Sequence, residues 1–231
     1  MKRLCIAILF LLFLGGTALA QFTDSSTGLL QAPTADMQKS GTFMITNNYL
    51  NKNSLPASGW GYDTFAYGFS ITFWDRLEVG YVCTIFDGIR KPNATYRDSL
   101  MFNQDRHFTA RVQLAREGDF GVSWLPAVVV GVSDPTTGSS ANGYIDANVE
   151  GAGNGYFNRM YVAATRHFDT PYGIVGASLS YQYNQRSDYR INGPAAGISW
   201  EPVWVQNAWI LDKLNVIAEY DSRTFNIGVI A

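Results

Sequence analysis

Between Thr64 and Ile85 large apolar residues alternate with small or polar ones through two consecutive segments. Phe65, Tyr67, Phe69, Ile71 and Phe73 take the odd positions, with Ala66, Gly68, Ser70 and Thr72 between them. After Trp74, Asp75 and Arg76 the pattern resumes. Leu77, Val79, Tyr81, Cys83 and Ile85 alternate with Glu78, Gly80 and Thr84. Successive side chains of a strand point to opposite faces, whereas a helix gathers residues three or four apart. Each segment is therefore a strand with one large apolar face and one small or polar face. The three residues around Asp75 make the pair a tight hairpin.

The same period recurs along the chain. From Gln104 to Leu114, Phe108, Ala110, Val112 and Leu114 share one face, and Asp105, His107, Thr109, Arg111 and Gln113 share the other. Further strands are expected over Thr42–Leu50, Pro126–Ser133, Tyr156–Phe168, Gly173–Tyr183, Ala195–Pro202, Leu214–Tyr220 and Thr224–Ile230. Their lengths suit tilted membrane strands, which need about 9–11 residues. Long connections (51–62, 87–103, 134–155 and 184–193) alternate with shorter ones. Outer-membrane barrels have this asymmetry, with long outer loops and short periplasmic turns. The connection near Ser222 departs from it, being short where the alternation asks for a long one.

The first twenty residues read as a secretory leader: Lys2 and Arg3, an apolar run from Leu4 to Leu14, and small residues up to Ala20. That run is too short to span a bilayer, and no later stretch reaches the about 18 apolar residues of a transmembrane helix. The expected organisation is a signal peptide over residues 1–20 and a single β-barrel domain over 21–231. The chain has 17 basic and 19 acidic residues, and Lys2 and Arg3 leave with the leader. So weak and mixed a charge offers nothing to nucleic acid. Cys83 is then the one remaining thiol, read as a packed small hydrophobe, and no internal disulfide can form.

A soluble β-sandwich could share the periodicity, but its solvent faces would carry Lys, Glu and Asp. Here both faces are sparing in charge, and Tyr49, Trp74, Phe86, Trp124, Phe168 and Trp200 stand at strand ends, as in interfacial aromatic girdles. The expected fold is an all-β, antiparallel transmembrane β-barrel of about ten to twelve strands in the outer membrane of a Gram-negative cell. The ending Gly228-Val229-Ile230-Ala231 lacks the terminal aromatic usual in such barrels. We therefore expect a barrel incomplete at its C-terminus, short of at least one or two strands.

Five stretches stand out in order along the chain. The first is Thr27-Gly28-Leu29-Leu30-Gln31-Ala32-Pro33-Thr34-Ala35-Asp36-Met37, followed by Gly41-Thr42-Phe43. Asp105, Phe108, Arg111 and Leu114 come next, at the spacing Asp-x-x-Phe-x-x-(Lys/Arg)-x-x-Leu, and then Pro126-Ala127 to Asp134. Tyr161 to Phe168 follows, and last Glu219-Tyr220-Asp221 with Asn226-Ile227-Gly228. Together they resemble the YjbH-like family of exopolysaccharide-associated outer-membrane proteins. The first is similar to that family's opening, the second and third to its Asp-x-x-Phe and Pro-Ala-x-x-x-Gly-x-x-Asp strands, and the rest to later elements. The resemblance implies a barrel tied to production or export of surface polysaccharide or capsule. It implies no catalytic site.

Chemistry in the chain is sparse. A catalytic reading would start with His107 and Asp105 on one strand face and with His167, Glu78, Glu201 and Glu219 elsewhere, but no Gly-x-Ser-x-Gly elbow accompanies them. Two distant histidines without a cysteine cluster make a poor metal site, and Asp134, Asp146, Asn148 and Glu150 do not keep EF-hand spacing. We expect no cofactor and a non-enzymatic protein. The alternation sends Arg76, Glu78, Asp105, Arg111, Glu201 and Glu219 into the lumen together with His107. In so narrow a barrel such residues pair across the interior as a polar network. Trp60, Tyr62, Tyr144, Tyr156 and Tyr189 in the loops are candidates for stacking on sugar rings. The partners expected are outer-membrane lipid, surface polysaccharide and proteins of an export complex. The alternatives are an adhesin-like structural or ligand-binding barrel and a periplasmic β-sandwich binding module.

Overall fold

A computed structural model of the chain describes residues 24–51, 63–86, 103–135, 159–183, 192–205 and 214–230. It contains ten strands: β1 (Phe43–Leu50), β2 (Thr64–Phe73), β3 (Leu77–Phe86), β4 (Asn103–Ala115), β5 (Ala127–Ser133), β6 (Arg159–Thr170), β7 (Gly173–Tyr183), β8 (Gly193–Pro202), β9 (Asn215–Tyr220) and β10 (Phe225–Ile230). All belong to one sheet whose spatial order is the sequence order, and every ladder is antiparallel. Local chemistry explains the hairpins. Trp74 and Asp75 adopt φ of 54° and 53°, the left-handed pair whose twist matches that of the flanking strands. Pro171 and Tyr172 alone join β6 to β7. A single meandering sheet rules out the two-layer sandwich. Among the described residues no helix is long and apolar enough to cross a membrane.

The two faces of the sheet have the polarity opposite to that of a soluble protein. One face carries Phe43, Phe69, Phe108, Leu179, Ile198 and Phe225, each at least 40% exposed. Across β2, β3 and β4 the rings of Phe69, Tyr81 and Phe108 follow one another with centroids 6.1 and 5.2 Å apart. The other face is buried and rich in hydroxyls, including Thr46, Thr64, Ser70, Thr72, Thr84, Thr109, Thr165 and Ser178. Cys83 is a buried thiol that takes part in no disulfide.

The sheet is curled. Residues 24–36, which lie outside the ten strands, touch side chains of β3, β4, β6 and β9 on the buried face. Strands six places apart can meet one short segment only by bending around it. The outermost strands are β1 and β10, and no ladder joins them among the described residues. The architecture is an incomplete antiparallel barrel with a polar interior.

Candidate functional site: a polar lumen that holds the N-terminal segment

The segment enters beside the start of β6. Asp24 meets Arg159 at 2.7 Å in an ion pair whose side chains are 2% and 3% exposed. Arg159 also donates to Gln182 at 2.9 Å. Ser25 then hydrogen-bonds Thr46, packed over Gly68, where a side chain would overlap its hydroxyl. Next comes Glu78. Its carboxylate accepts the Thr27 backbone N–H and hydroxyl, both at 3.0 Å, and the Ser70 hydroxyl at 3.0 Å.

Residues 28–33 form a tight turn, with Gly28 bridged to Pro33 and the Leu29 N–H donating to the Ala32 carbonyl at 3.0 Å. This folding aims three consecutive N–H groups at one anion. The Glu219 carboxylate accepts those of Leu30, Gln31 and Ala32 at 3.1, 2.8 and 3.1 Å, and Asn226 Nδ2 at 3.0 Å. Leu29 and Ala32 pack with Ala195 and Ile217, and Leu30 and Ile230 flank them. Room comes from glycine: a Cβ at Gly197 would overlap Leu29 Cδ1, and one at Gly228 would stand 2.8 Å from Leu30 Cδ1.

The return path is held by donors. The Arg111 guanidinium donates to the carbonyls of Thr27, Thr34 and Asp36, and Gln113 Nε2 to that of Ala35 at 2.8 Å. The Ala35 N–H donates to the Thr165 hydroxyl at 2.7 Å. Glu78 and Arg111 are direct cross-strand partners, with 3.8 Å between Oε2 and Nε. Such buried groups stay charged only when paired and hydrogen-bonded. Here carboxylates take the strap's N–H groups, and a guanidinium and an amide take its carbonyls.

At the short-turn end the segment leaves beside a cavity of about 340 Å³. There His167 Nδ1 lies 2.6 Å from Glu117, and its Nε2 lies 3.6 Å from Asp36 of the strap. Beyond the strands, Arg76 pairs with Asp119 at 3.1 Å. The Arg116 backbone N–H, and next the Arg76 guanidinium, hold the Asp119 carboxyl below the usual carboxylate range. Ser40 and Asp75 then fasten the strap to the β2–β3 turn just before β1 begins.

Of the residues expected in a lumen network, Glu78, His107, Arg111 and Glu219 are buried on the inner face. Arg76 is not with them. It lies in the turn before β3, its side chain 40% exposed, because the hairpin ends one residue inside the strand period. Glu201 is half-buried near the end of β8, opposite Ile174. The side chain of Asp105 lies outside the described residues, as do residues 1–20, Trp60, Tyr62, Tyr144, Tyr156 and Tyr189 and most of the loop that begins at Asp134. Sequence reasoning missed what the inward charges grip. It also missed Asp24 and Arg159, and it placed Gln113 on the inner face without giving it a role.

A curled antiparallel sheet with an apolar outer face, a hydroxyl-lined interior and a strap of its own chain inside is a plugged, polar-lumened barrel-type protein. The family model described as "exopolysaccharide biosynthesis protein YbjH" (YjbH) matches residues 25–227. The chain belongs to that family, which ties its role to exopolysaccharide biosynthesis. Neither a curated protein nor a solved structure matches it. The stretches that carry the resemblance meet in space. The opening motif is the strap, Arg111 and Glu219 are its clamps, and Gly228 makes room for Leu30.

Proposed function

We propose that this chain is a non-enzymatic outer-membrane β-barrel that serves the production or export of exopolysaccharide. The reading is carried by the inverted polarity of the sheet, with aromatic and aliphatic side chains outward and hydroxyls and paired charges inward. Water would not favour such an outer face over so many strands, whereas lipid requires it. Antiparallel strands with internally satisfied backbone groups suit the hydrocarbon layer. Exposed Trp74, Trp124, Tyr172 and Trp204 at the short-turn end fit the headgroup level. The leader over residues 1–20 supplies export, and the longer connections would face outward.

Its partners are then outer-membrane lipid, the surface polysaccharide and proteins of the export complex. The test is fractionation of cells with a gel that compares unboiled and boiled protein, together with surface polysaccharide measured after gene deletion. Outer-membrane recovery, a mobility shift on boiling and loss of polysaccharide are expected. A protein recovered in the soluble periplasmic fraction without a shift would overturn the membrane reading. Unchanged polysaccharide would overturn the role in its production or export.

A further inference from the structure

Residues 24–36 fill the lumen without being one of its strands. The charged side chains that hold them each have another partner in the wall. If the strap withdrew, Glu78 and Arg111 would still face each other across β3 and β4, at 3.8 Å. Glu219 would keep Asn226 at 3.0 Å, and Arg159 would keep Gln182 at 2.9 Å. The rest of the wall around the strap offers Thr46, Thr72, Thr109, Thr165 and Ser178, all hydroxyls that water can satisfy. Withdrawal would leave Glu78 and Arg111 paired with each other, and would leave Glu219 and Arg159 each on a neutral amide, to be hydrated by the water that replaces the strap. The apolar contribution to holding the strap is small, a few residues around Leu29 and Ala35.

We propose that residues 24–36 are a displaceable plug, latched by Glu219 and Arg111, whose withdrawal opens a hydroxyl-lined path for hydrated, hydroxyl-rich solutes. This rests on the membrane-barrel reading above. Two populations follow, plugged and open, and weakening a latch shifts the balance toward the open one.

The test uses the full chain with Cys5 and Cys83 replaced by Ser, in detergent and in planar bilayers. Ala32, 1% exposed and next to the Glu219 clamp, is changed to Cys and reacted with a membrane-impermeant maleimide. Labelling is expected to be slow in this parent and about thirtyfold faster when Glu219→Gln or Arg111→Met is added, the shift that losing a charge-assisted clamp brings. Separately, Ala35→Cys with Thr165→Cys joins the strap to β6, where the native N–H and hydroxyl lie 2.7 Å apart. Channel openings are expected when this pair is reduced and none when it is oxidised. Equal labelling rates with and without the latch changes overturn the plug. Openings that ignore oxidation, or none in either state, overturn the gate. The boiling shift is read on the same samples. Protein that never shifts fails as a barrel, whereas shifted protein with latch-independent labelling fails only as a gate.

Discussion

The carboxylate of Glu219 on β9 accepts the backbone N–H of Ala32 at 3.1 Å, although 187 residues separate the two in the chain. It takes the two preceding N–H groups as well, so one side chain fixes a whole turn of the strap. Glu219→Gln leaves one acceptor oxygen where there were two and points an NH₂ group at donors. Bonds to a charged partner contribute roughly 1.5–3 kcal/mol, and the change is expected to cost about 2 kcal/mol of strap attachment. Limited proteolysis should then cut within residues 24–36 while the boiling shift persists. Protection equal to wild type would show that the clamp does not hold the strap.

Gly197 and Leu29 make a second, purely steric prediction. Gly197 lies on the inner face of β8, where a Cβ would collide with the Leu29 side chain. Gly197→Val should destabilise the folded barrel by about 2 kcal/mol, within the usual cost of overpacking. Leu29→Ala should recover much of that loss by vacating the space, a non-additivity expected only for residues in contact. Denaturant midpoints of the two single variants and the double variant measure it. Strict additivity would place Leu29 elsewhere.

The strands were legible because their signal is local. Alternation at Thr64–Phe73 and Leu77–Phe86 needs no knowledge of partners, and all ten expected strands coincide with observed ones to within about three residues, the usual slack at element ends. Periodicity also marked Glu78, Arg111 and Glu219 as sharing a face class. It could not show that Glu78 and Arg111 stand opposite each other, because that register depends on where two hairpins begin. The strap was opaque for a different reason. It is held by backbone N–H and C=O groups, which every residue but proline carries alike, so Leu30, Gln31 and Ala32 give no sign of a clamp. Asp24 pairs with Arg159 across 135 residues and lies in a stretch with no period to orient it.

That ion pair carries a third prediction. Both side chains are almost fully buried, so Asp24→Asn leaves the Arg159 charge inside with a weaker acceptor. Breaking a buried pair by neutralising one partner costs several kcal/mol, and a loss of about 3 kcal/mol is expected. Asp24→Asn with Arg159→Gln should be milder than Asp24→Asn alone, since no unpaired charge remains. Thermal or denaturant unfolding of the three variants reads the difference. A single variant no worse than the double would mean that the pair is solvated.

Leu179 separates lipid from water as the solvent of the outer face. It lies near the middle of β7 and is 68% exposed. In water, Leu179→Arg would relieve an exposed apolar side chain and change stability by no more than about 0.5 kcal/mol. In a bilayer the same change places a charge near the midplane, at a cost of about 2–4 kcal/mol. The outer-face partner Ala196 is small and neutral, so no neighbour directly opposite on β8 could compensate the new charge. Refolding into lipid vesicles, followed by denaturant titration, should show the larger loss, while the same substitution at the exposed turn residue Phe120 should be nearly silent. Equal, small effects at both positions would mean that the aromatic and aliphatic face meets water or a protein partner instead of lipid.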